Sequence, residues 1–197
     1  MAIIFFVAVL FILSALIIKR VYMQTPLVRS ALERELVIYQ ARLDKKPNDL
    51  DARVAIAQVY SRMGNKTAAV AELKKVLEIK SDYWDALFQL GLVYLNANEK
   101  AAAIGQFKKA AKAKPNDELA YYQLGTIAYK DGKYKDAAAY MEKTVKISPI
   151  LADGHYYLAS SYEHLGDKEL AKQQYEEALR YIPDYSQAKD GLARVQP

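Results

Sequence analysis

The chain contains no cysteine. Disulfides, thiolate metal sites, cysteine nucleophiles, cysteine lipidation and covalently attached haem are excluded with it, while the redox compartment stays open. Histidine is nearly as scarce, with only His155 and His164. Nine residues apart on one expected helix, they point roughly 180° from each other at about 3.6 residues per turn, so they cannot share a metal. A phosphate-binding glycine loop, an HExxH pair and a nucleophile elbow are also missing. The sequence is therefore read as non-enzymatic, with no cofactor and no metal. Glycine (8) and proline (6) are sparse across 197 residues, while Ala, Leu, Lys, Glu and Tyr (16) abound. That balance fits an all-α chain.

The net charge of +5 is uneven. Residues 1–46 hold seven basic and three acidic side chains, whereas the other 151 residues balance 21 against 20. Basicity beside an apolar N-terminus argues for anionic lipid headgroups near Lys19 and Arg20 and against nucleic acid. Lys74, Lys75, Lys108 and Lys109 are interleaved with acids and read as a solvated face rather than an RNA surface.

One long apolar run occurs. Ala2 to Ile18 reads AIIFFVAVLFILSALII, with Ser14 its only polar side chain. As a helix it covers roughly 25 Å, the low end for a bilayer, and Val21 to Met23 extend it, with Tyr22 at headgroup depth. A cleaved signal peptide competes. It would carry positive charge before the run and small residues at a cleavage site, and neither is present. Residues 1–23 are thus expected to be a retained transmembrane anchor. Lys19, Arg20, Arg29, Arg34 and Arg42 lie C-terminal to it, which places the body of this single-pass membrane protein in the cytoplasm. Residues 24–49 read as an amphipathic linker helix, capped at Thr25, with Pro26 in its first turn and Pro47 just past its end. Its stripe of Val28, Leu32, Leu36, Tyr39 and Leu43 either covers the open end of the next helices or meets a partner helix.

From residue 50 onward the sequence repeats every 34 residues. Pro115, Pro149 and Pro183 keep that step, as do Ala69, Ala103, Ala137 and Ala171. Tyr60, Tyr94, Ala128 and Tyr162 form a third column, and Leu73, Phe107, Met141 and Tyr175 a fourth. Small residues recur at Ala57, Gly91, Gly125 and Ala159. Small columns let helices approach closely and large ones fill the space between them. Gly64, Asn98, Gly132 and Gly166 suit turns that need positive φ. The columns give helix pairs at 50–63/66–80, 84–97/100–113, 118–131/134–147 and 152–165/168–181, and a capping helix within 186–197. In that cap Leu192 and Val195 cover the last repeat, while Lys189, Asp190 and Arg194 face water.

These residues resemble the tetratricopeptide repeat family. Repeat two carries the pattern most fully, with Leu90-Gly91, Tyr94, Ala103, Phe107, Ala110 and Pro115; repeat three has Thr144 in the second Ala column, and repeat one has Ser81 in place of the Pro. The resemblance covers residues 50–185 and implies an all-α, right-handed superhelical solenoid of four helix-turn-helix repeats, 50–83, 84–117, 118–151 and 152–185. It also implies that the first helices line a concave groove for a peptide or helix. Carried onto this chain, the groove takes Val54, Gln58 and Arg62 from repeat one, and Phe88, Gln89, Leu92 and Asn96 from repeat two. Repeat three gives Tyr122, Gln123, Thr126, Tyr129 and Lys130, and repeat four gives Tyr156, Tyr157, Ser160 and His164. Tyrosine offers area at small entropic cost, and amides can satisfy a peptide backbone; the other reading is that individual tyrosines pack between neighbouring first helices. The Lys/Asn clamp with which some members hold chaperone tails is absent, since Val54, Gln58, Tyr122 and Gln123 occupy its positions.

Net charge falls from +2, +2 and +1 in the first three repeats to −4 in the fourth, so an anionic leaflet would attract the tethered end and repel the far one. In layout the chain resembles bacterial assembly factors that join one N-terminal span to a repeat domain. Two functions are expected from it: a membrane-tethered adaptor in assembly or quality control of membrane or envelope components, or a stoichiometric accessory subunit of a larger membrane complex.

Overall fold

The structure, a computed structural model, describes residues 30–196. They form ten helices and no strand: α1 Ala31–Lys45, α2 Leu50–Arg62, α3 Lys66–Ile79, α4 Trp84–Asn96, α5 Lys100–Ala113, α6 Glu118–Lys130, α7 Tyr134–Ile147, α8 Ala152–Leu165, α9 Lys168–Tyr181 and α10 Ser186–Val195. Among the described residues no helix is long and apolar enough to cross a membrane. The segment expected to do so, 1–23, lies outside them, as do Lys19 and Arg20. The chain divides into two compact units, one ending at Leu73 and one beginning at Lys74, and α3 runs through the division.

In the first unit the expected helix start is corrected. Ser30, not Thr25, caps α1: its hydroxyl accepts from Glu33 N (3.2 Å) and Glu33 Oε2 accepts from Ser30 N (2.7 Å). This reciprocal box satisfies two otherwise orphaned donors, whereas Thr25 has Val28 three residues on and cannot form one. Leu43 is buried and Leu36 and Tyr39 half-buried against Ala52, Ile56 and Tyr60. The apolar stripe of α1 therefore covers the first helix of repeat one; its Val28 lies outside the described residues. Charge fixes the same corner. Asp49 caps α2 through Ala52 N (2.9 Å) and accepts from Arg42 Nε (2.7 Å), and these two donors hold its carboxyl below the usual carboxylate range.

In the second unit α4–α5, α6–α7 and α8–α9 are hairpins with turns of two or three residues. Each turn holds a residue at positive φ, Asn98 (60°), Gly132 (71°) and Gly166 (86°), as the spacing predicts. The repeat columns are its core. Ala103, Ala137 and Ala171 are fully buried, and so are Phe107, Met141 and Tyr175 in the large column. Thr144 fits the small column because its hydroxyl donates back to Tyr140 O (3.0 Å), which leaves a methyl to pack. At the far end α10 presses Ala188, Leu192 and Val195 onto Ala159, Ala171, Tyr175 and Ala178. Arg194 does not simply face water as expected. Its guanidinium donates to both carboxylate oxygens of Glu163 (2.7 and 3.0 Å), because that carboxylate comes to the surface beside the cap.

Candidate functional site

The nominated groove positions of the second unit fall on the first helices α4, α6 and α8, and α6 packs directly against α8. Three of these side chains are turned into the core and are corrected as contact residues. Phe88 is buried, stacked on Trp84 (5.0 Å between centroids) and tilted against Phe107 (5.6 Å). Thr126 is buried and donates to Gln123 O (2.9 Å). Ser160 is buried with its Oγ 2.7 Å from the Tyr129 hydroxyl. Phe88 and Ser160 thus fill contacts between neighbouring helices, while the Thr126 hydroxyl is satisfied within its own helix.

The tyrosines are brought together. Tyr122 meets Tyr157 edge to face (6.1 Å), Tyr157 meets Tyr129 (5.3 Å) and Tyr156 (5.3 Å), and all four are half-buried. Such tilted pairs contribute about 0.5–1.5 kcal/mol each beyond the area they bury, so the four rings hold one another in place. Burial pushes the Tyr122 phenol up to about 12, with the Asp153 carboxylate adding to it, and burial raises Tyr156 and Tyr157 as well. The result is a preset aromatic surface with neutral hydroxyls across α6 and α8. Gln89 and Leu92 on α4 and Gln123 on α6 are half-buried, while Asn96, Lys130 and His164 are exposed.

Two aromatics that the groove positions do not include complete this surface. Tyr134, at the start of α7, stacks on His164 (4.0 Å, 8° between planes) and meets Tyr129 edge to face (5.6 Å). Tyr185, just before α10, lies 5.2 Å from Tyr156 and donates to Asp153 Oδ1 (2.7 Å). Neither belongs to a first helix. Tyr185 repeats Tyr83 three 34-residue steps earlier, a sparse signal in a column otherwise held by Asp117 and Leu151, whereas Tyr134 aligns with Lys66, Lys100 and Lys168 and only the folded contacts reveal it. His155 is buried and remote in its contacts from His164. Pro149 O can only accept, so Nε2 of His155 carries a proton to it (2.9 Å), while Nδ1 lies 2.8 Å from Gln174 Oε1.

In the first unit Gln58 and Arg62 are exposed and Val54 is buried. Arg62 is occupied within its own unit by an ion pair with Glu35 of α1.

Hairpins of paired helices recurring at 34 residues, with half-open aromatic first helices, define a class of helical repeat arrays that typically serve as protein-interaction scaffolds. The chain belongs to the tetratricopeptide repeat family: models of that repeat match residues 54–118, 118–150 and 152–185. Among solved structures it is similar to the crystal structure of MamA, with 24% identity and a TM-score of 0.66 over 77% of this chain and 88% of that one. A MamA from Desulfovibrio magneticus RS-1, solved from residue 41 to its end, gives 23% and 0.62 over 74% and 92%. YrrB, described as a repeat protein of this family with an unusual peptide-binding site, gives 22% and 0.64 over 89% and 87%. At these identities the likeness is one of fold. No curated protein matches the chain.

Proposed function

We propose that this protein is a membrane-anchored scaffold that binds polypeptide partners on the first-helix face of its repeats, in assembly or quality control of membrane or envelope components. The observation that carries the proposal is the interlocked, half-exposed set Tyr122, Tyr129, Tyr156 and Tyr157. A surface of rings already held in position gives contact area to a peptide without the cost of ordering long side chains. Gln123, next to Tyr122 in the chain, and Gln89 and Asn96 on the first helix α4 offer amides for peptide N–H and C=O groups. The peptide-binding site described for YrrB supports the same reading.

Residues 1–23 serve as the anchor, with Lys19 and Arg20 at the anionic headgroups, 24–49 as the linker and 50–185 as four repeats closed by 186–197. The repeats then lie on the cytoplasmic side. The second reading is a fixed accessory subunit, with the span packed against other spans. Gentle detergent extraction and sizing separate the two: an adaptor runs free or in variable association, a subunit co-purifies in fixed ratio. Affinity capture from solubilised membranes, wild type against Tyr122→Ala/Tyr156→Ala, tests the face itself. The partners are lost from a variant that still melts cooperatively; retention of every partner refutes the face.

A further inference from the structure

The edge of the second unit carries two depressions that the tyrosine face does not include. The larger, about 540 Å³, is lined by Pro115, Asn116, Tyr121, Lys143, Lys146 and Ile147. The smaller, about 350 Å³, is lined by Ser81, Asp82, Leu87, Lys109, Lys112 and Ala113. Each lining residue of one lies 34 positions from its counterpart in the other. They are one structural feature seen in consecutive repeats.

The same column carries different side chains in the first and last repeats. At the position of Leu87 and Tyr121, repeat one has Arg53 and repeat four has His155. Arg53 donates to Pro47 O (2.9 Å), and His155 donates to Pro149 O (2.9 Å) and stacks on Tyr181 (5.9 Å). In repeat four the counterparts of Lys143 and Lys146 are Glu177 and Arg180, which pair with each other (2.9 Å). That copy is filled by side chains and neutral. In the larger depression Tyr121 instead turns its ring to Lys143 (5.2 Å), and no acid lines the wall. Two carboxylates adjacent in sequence to the lining are engaged elsewhere: Asp117 with Lys114 (2.7 Å) and Glu142 with the Tyr162 hydroxyl (2.7 Å). The smaller depression includes Asp82 and is the less basic of the two.

We propose that the Tyr121–Lys143–Lys146 depression docks a short acidic polypeptide segment, seating an apolar side chain on Pro115, Tyr121 and Ile147 while flanking carboxylates pair with the two lysines. The positive charge is greatest in this copy, reduced by Asp82 in the smaller depression and offset by Glu177 in repeat four, which suits a short segment better than a bilayer surface. The apolar floor suits a side chain better than a bare phosphate.

The test uses the full chain in detergent and the labelled hexapeptide fluorescein-Glu-Glu-Phe-Leu-Glu-Glu, read by fluorescence anisotropy. Lys143→Glu/Lys146→Glu weakens binding by about tenfold or more. The charge-matched control Lys133→Glu/Lys135→Glu, at the other end of α7, changes it less than twofold. Ile147→Tyr, which brings the ring of repeat four into this depression and keeps both lysines, also weakens binding severalfold. Equal losses in the two lysine pairs, or full binding by Ile147→Tyr, overturn the docking site. So does a result in which Lys143→Glu/Lys146→Glu spares the peptide but loses vesicles of phosphatidylcholine and phosphatidylserine, which would make the lysines a membrane contact.

Discussion

Arg194 of the last helix holds Glu163 of α8 with two hydrogen bonds, 2.7 and 3.0 Å, while Tyr175 of α9 donates to the same carboxylate at 2.5 Å. One carboxylate thus ties together the three helices that end the repeat array. Arg194 is the main reason the Glu163 carboxyl sits below the usual carboxylate range, with Tyr175 adding to it. A depressed acid stabilises the fold above its unfolded value of 4.5 and ceases to do so as pH falls through the lower folded value. Arg194→Ala should cost about 1 kcal/mol at neutral pH, since the pair is partly solvated. The gap between variant and wild type, measured by urea unfolding, should narrow progressively as pH falls below 4.5. A gap that stays constant to pH 3 would show that Arg194 acts through packing alone.

Three glycines pressed against large core side chains predict a graded series. A methyl on Gly191 would run into the Tyr175 ring, and one on Gly91 would lie 2.6 Å from the Phe107 ring. One on Gly125 would meet the Met141 tip at 2.7 Å. Rings in a full core cannot withdraw, whereas a methionine terminus can turn aside. Gly191→Ala and Gly91→Ala should therefore destabilise by about 1–3 kcal/mol, and Gly125→Ala should be near neutral once its helix propensity gain is counted. Chemical denaturation of the three variants checks the order.

This series also marks what is legible in the sequence. A period of 34 with small and large columns is a packing rule, so Ala103, Phe107, Ala137, Ala171 and Tyr175 emerge as core directly. The turns at Gly64, Asn98, Gly132 and Gly166 follow from backbone geometry alone. The site is less legible. The family resemblance nominates Phe88, Thr126 and Ser160 together with Tyr122 and Tyr157, and only the neighbouring helix decides which of them stays open. Tyr134 joins the cluster through contacts with no periodic trace, since lysines hold its column, and Tyr185 leaves only Tyr83 as a trace. The cap of α1 is a different case: Ser30 and Glu33 spell a capping box, but proline at position 26 draws the expected start toward Thr25.

That box has a measurable worth. Ser30→Ala should cost about 1 kcal/mol and fray the first turn of α1, as amide exchange at Leu32 to Arg34 would report. Unchanged protection there would mean that the N-terminal turn is held by some other contact.

Alkaline pH gives a further expectation. Burial, with the Asp153 charge for Tyr122 and the Glu142 hydrogen bond for Tyr162, pushes both phenols to about 12. Their ordinary value is 10, so between pH 10 and 12 the unfolded chain loses protons that the folded one keeps. Stability should fall with pH across that window. Ultraviolet titration should show late-ionising phenols that move back toward pH 10 in denaturant. A single titration near pH 10 in the folded protein would contradict the packed tyrosine face.

The most direct test of that face is site-specific photocrosslinking in intact membranes, with a benzophenone amino acid placed at Gln123, beside the tyrosines, or at exposed Gln173 on α9. We expect discrete polypeptide adducts from position 123 that disappear when Tyr122 and Tyr156 are also replaced by alanine, and none from position 173. Adducts from 173 alone, or adducts from 123 that persist without the tyrosines, would contradict the assignment of the partner to the first helices.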